Sequence, residues 1–285
     1  MVHKILVSKH GKSLGLDRDG KLIAAKGLVS GGQDESGVVM PSNNTVALFD
    51  DFLGDLIADE WAVVKGDTGA VSTMVLTTAT NGVLRLSMEP TPLNVSGENL
   101  ALTGGLFLNW KANQGPAGEY GSLRLSARVK FESVSRTAQR QHVFVGFSDT
   151  GGAEMPAYDT GGGVISNAAD LVGFLFSPGG DTGWSLVGVK STAGDSGDLL
   201  TVPNPVASPS ANVYENLEVE VRRGAGQTGG RASFFRNGKL IGAINSPVAP
   251  TVALTPWLGF WVQDTGARYM DIDYVHISAP RDTGF

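Results

Sequence analysis

The sequence contains no cysteine among its 285 residues. This absence excludes disulfide bonds, thiolate metal sites and cysteine nucleophiles, and it fits synthesis in a reducing cytosol. Long apolar runs are missing as well, since no stretch approaches the ~20 residues that cross a bilayer. The first residues also lack the apolar core and the small-residue cleavage site of a signal peptide. We therefore expect no membrane partner.

Motifs for cofactor and metal chemistry are absent too. The sequence holds no phosphate-binding loop, no dinucleotide fingerprint and no serine nucleophile elbow. We place His142 at a strand edge and His276 within a sheet. The four histidines of the chain do not have the spacing of metal ligands: His3, His10, His142 and His276. From the residues we predict no cofactor, no metal site, no catalytic residue, and a protein that is not an enzyme.

What the sequence does contain is the pattern of many short strands joined by tight turns. Glycine is abundant, at 39 residues, and this favours turns over helices. In Leu123–Phe131, apolar and polar residues alternate, which predicts a half-buried antiparallel strand. Two nearly continuous apolar runs, Leu171–Phe176 and 257–262, predict central strands covered on both faces, with Trp257 and Trp261 in the core. Prolines in 201–210 predict a surface loop.

The last third of the chain carries the sharpest fold signals. Asn237 and Gly238 lie between two apolar runs and predict a hairpin, because both central residues of a type I′ turn need φ > 0. In the final strand the apolar positions change from even to odd numbers, which predicts a β-bulge near Asp273. With roughly a dozen strands, the chain is predicted to form an all-β, antiparallel two-sheet sandwich rather than a small barrel.

Residues 1–45 differ from the rest and predict an N-terminal arm with a small hairpin at Asp19-Gly20 and a linker, followed by a sandwich domain at 46–285. The first 30 residues hold six basic and two acidic residues, a net charge of +4, while the other 255 residues carry −10. A basic arm on an acidic body is expected to dock on an acidic partner. Six separated charges without a reader motif predict no nucleic-acid binding. The candidate contact residues of the arm are Lys4, Lys9, Lys12, Arg18, Lys21 and Lys26.

Two carboxylate patterns have both a catalytic and a structural interpretation. Asp-Thr-Gly, the tripeptide of aspartic proteases, occurs six times, including at Asp149. Such repetition favours turns, in which aspartate caps the turn and glycine supplies φ > 0. Glu218 and Glu220 share one strand face, as the acid and nucleophile of a retaining jelly-roll glycoside hydrolase do. Their surroundings lack that family's Glu-x-Asp motif, so a solvated face is favoured and hydrolysis is the less favoured alternative.

One loop offers aromatic rings for binding. Tryptophan and tyrosine rings can stack on sugars when they are exposed. Trp110 and Tyr120 flank the loop, so the candidate surface for a glycan or a partner is Trp110, Lys111, Asn113 and Tyr120.

The C-terminal segments resemble those of concanavalin A-like lectin/glucanase sandwiches. The hairpin at 234–242 is similar to a strand, Asn-Gly turn and return strand that recur near the end of those domains, and 268–277 looks like their last strand. Residues 48–52 with Trp61 are similar to their first strand. The resemblance covers about residues 46–278, and it implies an all-β, antiparallel two-sheet jelly-roll sandwich rather than an activity.

The layout also resembles virion structural proteins of tailed bacteriophages, in which a short arm precedes a sandwich. The segments that carry this likeness are LFDDF at 48–52, LNWKANQG at 108–115 and FFRNG at 234–238. The resemblance implies a capsid decoration or cement protein on the capsid exterior, made in the host cytoplasm and bound through its arm to the major capsid protein or other virion proteins. A homo-oligomer is expected, with a trimer as the first choice. The alternative is a carbohydrate-binding module on a tail fibre or head surface, with a surface glycan as its partner.

Deletion of residues 1–40 tests the predicted tether. Because the arm is expected to supply the capsid contact, the shortened protein should lose occupancy on capsids relative to the full-length chain at the same concentration. Electron microscopy of decorated particles measures that occupancy, and undiminished decoration by the shortened protein would show that the arm is not the tether.

Overall fold

The computed structural model describes residues 6–7, 13–16, 22–24, 45–52, 61–65, 74–75, 82–88, 96–102, 108–109, 122–132, 141–151, 155–159, 164–178, 183–191, 199–222, 230–249, 252–262 and 268–280. Within these residues all regular structure is β-strand, which confirms the all-β prediction. None of these residues belongs to a helix that is long and apolar enough to span a bilayer. The chain divides into two compact units, residues 1–47 with 281–285, and residues 48–280.

The first unit contains a small antiparallel sheet of three strands: β1 (Leu6–Val7), β2 (Ser13–Leu16) and β3 (Leu22–Ala24). β2 and β3 pair as the two strands of the hairpin predicted around Asp19-Gly20, with Leu16 opposite Leu22. The turn itself and the six basic residues of the arm lie outside the described residues.

Eighteen further strands follow. They are β4 (Thr45–Asp50), β5 (Trp61–Lys65), β6 (Met74–Val75), β7 (Leu84–Met88), β8 (Ser96–Leu102), β9 (Leu108–Asn109), β10 (Leu123–Phe131), β11 (Gln141–Ser148), β12 (Ala157–Asp159), β13 (Val164–Ser166), β14 (Leu171–Phe176), β15 (Gly183–Val189), β16 (Leu199–Ala207), β17 (Glu215–Arg222), β18 (Arg231–Arg236), β19 (Lys239–Asn245), β20 (Ala253–Val262) and β21 (Arg268–Pro280).

Two large sheets form the sandwich. Sheet I has the strand order β19-β18-β17-β10-β21-β7-β6, and β4 also pairs with β21. Sheet II has the order β16-β15-β14-β11-β20-β8-β5, and β9 also pairs with β20. Neighbouring strands along both orders run antiparallel. This arrangement confirms the antiparallel two-sheet sandwich.

The main core lies between the two sheets, where strand alternation directs the apolar side chains. In β10 the five apolar residues are buried and the four polar ones between them are half-buried, as the sequence pattern predicts. β14 is buried throughout and β20 nearly so, which confirms that both are central strands. Burial of these inward faces supplies the main driving force for folding.

A second apolar cluster, which we call the outer cluster, covers part of the other face of sheet II. The hairpin of β12 and β13 packs there. Its buried members are Phe144, Met155, Ala157, Ala168, Leu171, Leu175, Val187, Val189 and Trp257, with Tyr158, Val164 and Trp261 packed at its margin. Sheet II is therefore apolar on both faces in this region.

The predicted turn and bulge are both present. Asn237 and Gly238 have φ values of 51° and 76° between β18 and β19, as a type I′ turn requires. In β21 the pairing with β10 shifts, since Tyr274 lies opposite Arg128 and Ile272 lies opposite Val129. The bulge at Asp273 explains the change of parity in the final strand.

Two local predictions were wrong. The proline-containing stretch 201–210 is not a loop, because β16 runs to Ala207. β16 is an edge strand of sheet II, where the missing N–H of proline breaks no ladder hydrogen bond. His142 does not lie at a sheet edge: it belongs to β11, between β14 and β20, and is fully buried.

A buried carboxylate links the two sheets through the core. Glu215 of β17 in sheet I accepts a hydrogen bond of 2.9 Å from the indole Nε1 of Trp184, on β15 in sheet II. Its other oxygen lies 2.7 Å from the guanidinium of Arg236. Glu215 and Trp184 are both buried. An interior charge of this kind is tolerated because it is paired and hydrogen-bonded.

Replacement of this carboxylate should destabilise the sandwich. Glu215→Gln removes the negative charge beside Arg236 and leaves that mostly buried guanidinium without its counter-charge, so we expect a loss of about 3 kcal/mol in the free energy of unfolding. The matched control is Glu218→Gln on the half-exposed face of the same strand, where about 0–1 kcal/mol is expected. Urea unfolding followed by tryptophan fluorescence measures both, and equal losses would contradict the inter-sheet role.

Candidate functional site

The outer face of sheet II presents side chains in rows that cross its central strands. One row contains Gly146, Trp257 and Gly173, which are paired across β20, β11 and β14. A Cβ atom on Gly173 would lie 2.6 Å from Cζ of Phe144, so only glycine at this position leaves room for the Phe144 ring. The middle of this face is consequently occupied by the protein's own aromatic side chains.

The row at the end of β20 combines aromatic rings with hydrogen-bonding side chains. His142 lies opposite Trp261, and their ring centroids are 5.2 Å apart. The ring of Tyr158, from the β12–β13 hairpin, lies 5.0 Å from the ring of Trp261. A hydrogen bond of 2.8 Å links Nδ1 of His142 and Oγ of Ser177. We call these four residues the Trp261 site.

The Trp261 site combines apolar ring surface with fixed polar groups. Trp261 and Tyr158 are half-buried, while His142 and Ser177 are completely buried. Trp261, His142 and Ser177 belong to sheet II, and Tyr158 belongs to the β12–β13 hairpin. The site therefore lies where the hairpin contacts the face of the sheet. Because the rings pack on each other, they present surface with little conformational freedom left to lose.

Two acidic residues lie close together at the opposite end of β11. Asp149 follows β11 and Asp170 precedes β14, and the backbone N–H of Asp149 donates to the carbonyl oxygen of Asp170 at 2.9 Å. Oδ1 of Asp170 accepts a hydrogen bond of 2.5 Å from the backbone N–H of Ala249. The sequence marks Asp149 as part of an Asp-Thr-Gly turn but gives no sign that Asp170 is its neighbour.

The environment disfavours ionisation of both carboxyl groups. Burial raises the pKa of Asp149, the charge of Asp170 raises it further, and backbone hydrogen bonds partly oppose both effects. Burial also raises the pKa of Asp170, against the backbone N–H groups of Ala249 and Ser191 and the charge of Lys190. Ionisation of these two carboxyl groups at neutral pH therefore lowers the stability of the folded protein.

The outer face of sheet I is polar and ion-paired. Asp271 is fully buried and binds Arg85 through two hydrogen bonds of 2.6 and 2.9 Å. Lys130 lies 2.8 Å from the same carboxylate. The hydrogen bond to Asp271 raises the pKa of Arg85, and burial offsets part of this rise. For Lys130, burial lowers the pKa, but the hydrogen bond and charge of Asp271 outweigh it and the net pKa is raised.

Tyrosine rings lie against these cations. The guanidinium of Arg85 is 4.0 Å from the ring centre of Tyr269. Arg128 and Lys130 lie 4.6 and 4.8 Å from the ring centre of Tyr214. Cation–π contacts of this kind fix the positions of the charged groups.

Glu218 and Glu220 lie on this same face of sheet I, as the alternation in β17 predicts. Glu218 is 2.7 Å from the guanidinium of Arg124, and Glu220 is 2.7 Å from that of Arg222. Each carboxylate is thus bound by its own arginine, an arrangement typical of structural ion pairs.

The remaining predicted site residues cannot be placed. Trp110, Lys111, Asn113 and Tyr120 lie outside the described residues, as do the basic residues of the arm: Lys4, Lys9, Lys12, Arg18, Lys21 and Lys26. Across the part of the chain that the structure describes, no three histidine or acidic side chains gather as metal ligands would.

The sequence predicts Trp261 in the core and carries no signal for the Trp261 site. Trp257 and Trp261 are four residues apart in one strand, and this spacing puts both on one face. The sequence does not reveal that the β12–β13 hairpin covers Trp257 and leaves Trp261 at the margin. His142 and Ser177 come from other strands and share no motif with it.

Comparison with solved structures identifies the fold. No family model and no curated protein matches the sequence. A glycoside hydrolase family 16 endo-glucanase from Bacteroides ovatus aligns with a TM-score of 0.51 and 11% identity, over 81% of this chain and 99% of that chain. The carbohydrate recognition domain of Emp47p also aligns with a TM-score of 0.51 and 11% identity, over 86% of this chain and 98% of that chain. The chain has a concanavalin A-like jelly-roll fold.

A third match is a GlcNAcα1-4Gal-releasing endo-β-galactosidase from Clostridium perfringens. It aligns with a TM-score of 0.49 and 13% identity, over 85% of this chain and 64% of that chain. The chain therefore spans less than two thirds of that enzyme.

The comparisons also correct one prediction. The expectation that the protein is not an enzyme is contradicted, because solved structures with this fold include glycoside hydrolases. The expectation came from missing linear motifs. A sandwich brings groups from distant strands together, so a missing motif does not exclude catalysis.

Asparagine in place of Asp149 should stabilise the protein at neutral pH. A carboxyl group whose pKa is raised in the folded state penalises folding above its ordinary pKa of 3.8, and this penalty disappears below that pH. Asp149→Asn should therefore raise the melting temperature at pH 7, and the gain should shrink toward pH 3.8. Thermal unfolding across pH measures this. Glu218→Gln, which loses an ion pair, is the control, and a gain that does not change with pH would contradict the argument.

Proposed function

We propose that the protein binds a glycan at the Trp261 site on the outer face of sheet II. The observation that carries this proposal is the half-buried ring of Trp261, packed on Tyr158 and on the buried His142. The half-buried rings of Trp261 and Tyr158 thus present apolar surface together with the indole N–H and the phenol hydroxyl that these side chains carry.

This combination suits the two-sided chemistry of a sugar. A pyranose has an apolar face of C–H groups, which packs on an aromatic ring, and a rim of hydroxyl groups, which need hydrogen-bond partners. Small-ligand sites are mostly apolar with a few fixed polar groups that set orientation. The half-buried Tyr158 carries a hydroxyl group beside the ring of Trp261, and the buried His142, fixed by its 2.8 Å hydrogen bond to Ser177, packs against that ring.

The fold supports the same proposal. The endo-glucanase and the carbohydrate recognition domain, which align with TM-scores of 0.51, are by their names glycan-active and glycan-binding. Cleavage of the bound glycan is accordingly included in the test below.

The virion location remains a prediction from the sequence resemblance. In that setting the basic arm would bind the major capsid protein or another virion protein, and several copies would display the glycan site on the particle surface. The structures named above are glycan-active or glycan-binding proteins rather than virion proteins. An electron-microscopy map of whole particles that places the chain off the particle would refute the virion location.

Substitution of Trp261 tests the glycan site. On an array of neutral and acidic polysaccharides we expect binding that Trp261→Ala weakens at least about tenfold, the equivalent of ~1.4 kcal/mol. Trp261→Phe keeps a ring and should retain part of the affinity. Leu240→Ala, at an exposed apolar residue of β19 in the other sheet, is the matched control and should leave binding unchanged. Equal melting temperatures establish that each variant is folded.

The outcomes separate the alternatives. A blank array would refute glycan binding. Loss of binding in Trp110→Ala with unchanged binding in Trp261→Ala would move the site to the surface predicted from the sequence. New reducing ends or unsaturated products after incubation with the bound glycan would show that the protein cleaves it.

A further inference from the structure

An exposed aromatic ring lies on the outer face of sheet I, on the opposite side of the sandwich from the Trp261 site. Phe49 of β4 is 61% exposed, and it is the one ring among the three exposed large hydrophobic side chains of the described residues. It stacks on Tyr274, with ring centroids 6.1 Å apart and an angle of 29° between the planes. His276 lies 6.4 Å away. Phe49 and Tyr274 form an aromatic surface outside the core, and the ring of the buried His276 lies against it.

The bulge at Asp273 places a cation beside these rings. Because the bulge changes the parity of β21, Tyr274 turns outward and lies directly opposite Arg128 of β10. The three residues come from neighbouring strands: Phe49 of β4 stacks on Tyr274 of β21, which is paired with Arg128 of β10. We call these three residues the Phe49 platform.

Arg128 is held in position but remains open to solvent. One guanidinium nitrogen lies 2.5 Å from Oδ2 of Asp273, and the group lies 4.6 Å from the ring centre of Tyr214. Its side chain is nevertheless 41% exposed, against 28% for Arg85 and 19% for Lys130. An arginine has five N–H donors in a fixed plane, so at this degree of exposure the group keeps donors that a ligand from solvent can reach.

The local charge favours an anion. In the ion-paired network of this face, five cationic side chains face four acidic ones, whereas residues 31–285 as a whole carry −10. Burial, and then the charge of Arg124, lower the pKa of His276, so this ring is neutral at pH 7 and adds no charge. The cations are Arg85, Arg124, Arg128, Lys130 and Arg222, and the acids are Asp271, Asp273, Glu218 and Glu220.

We propose that the Phe49 platform is a second saccharide site, which binds a sugar that carries a carboxylate. The sugar ring stacks on Phe49, and its carboxylate pairs with the open donors of Arg128, which is the strong, charge-assisted form of hydrogen bond. The partner is thus an acidic polysaccharide built from uronic acid residues. This site is independent of the Trp261 site, because the two lie on different sheets.

Titration calorimetry with uronic acid oligosaccharides tests the proposal. The probes are oligomers of glucuronate, galacturonate and mannuronate, with neutral glucose and galactose oligomers of the same length as comparison ligands. We expect at least one uronate oligomer to bind, at least tenfold more tightly than its neutral counterpart. Its affinity should fall as the salt concentration rises, because the pairing with Arg128 is electrostatic.

Matched variants locate the binding. Phe49→Ala and Arg128→Gln should each weaken uronate binding at least tenfold. Val213→Ala replaces another exposed apolar residue, and Arg222→Gln replaces an arginine that is 67% exposed and ion-paired, so neither should change it. Trp261→Ala should also leave uronate binding intact, which distinguishes this site from the one proposed above. Failure of every uronate oligomer to bind, or full binding by both platform variants, would overturn the proposal.

Discussion

A bulge at Asp273 decides which side chains β21 turns toward each face of sheet I. On its N-terminal side, Met270 and Ile272 enter the core, and on its C-terminal side Val275 and Ile277 do. Without the extra residue the second half of the strand would turn its apolar set outward, because side chains alternate with a period of two. β21 pairs with β10, β7 and β4, so most of sheet I takes its register from this strand.

The outer faces of the two sheets differ in composition: that of sheet II is largely apolar, and that of sheet I is ion-paired. The difference follows from whether another part of the described structure packs on the face. The outer face of sheet II is partly covered by the β12–β13 hairpin, so its central strands are apolar on both sides there. Where the hairpin ends, apolar rings meet His142 and Ser177 at the Trp261 site. The outer face of sheet I has no such cover among the described residues. There, buried Asp271 and the tyrosine rings hold the cations in fixed positions, which lets charged residues form an ordered surface.

Much of the fold was predictable from local signals. The Asn237-Gly238 turn, the alternation in β10 and the parity change in β21 each depend on residues close together in sequence. The errors arose where context decides. Proline in β16 is tolerated because that strand lies at an edge, and His142 is buried because β14 and β20 flank its strand. The non-enzymatic prediction failed for a related reason, since it inferred function from linear motifs in a fold whose neighbours include glycoside hydrolases.

By itself, the sequence determined an antiparallel sandwich, its sharpest turn and its bulge, because hydrophobic periodicity and turn chemistry act over a few residues. Tertiary structure alone decided which residues meet. Trp261, Tyr158, His142 and Ser177 come from four strands or strand ends, and Phe49 reaches Tyr274 across more than two hundred residues of chain. Neither group can be recognised from the spacing of its residues in the sequence, because strand order and register bring its members together.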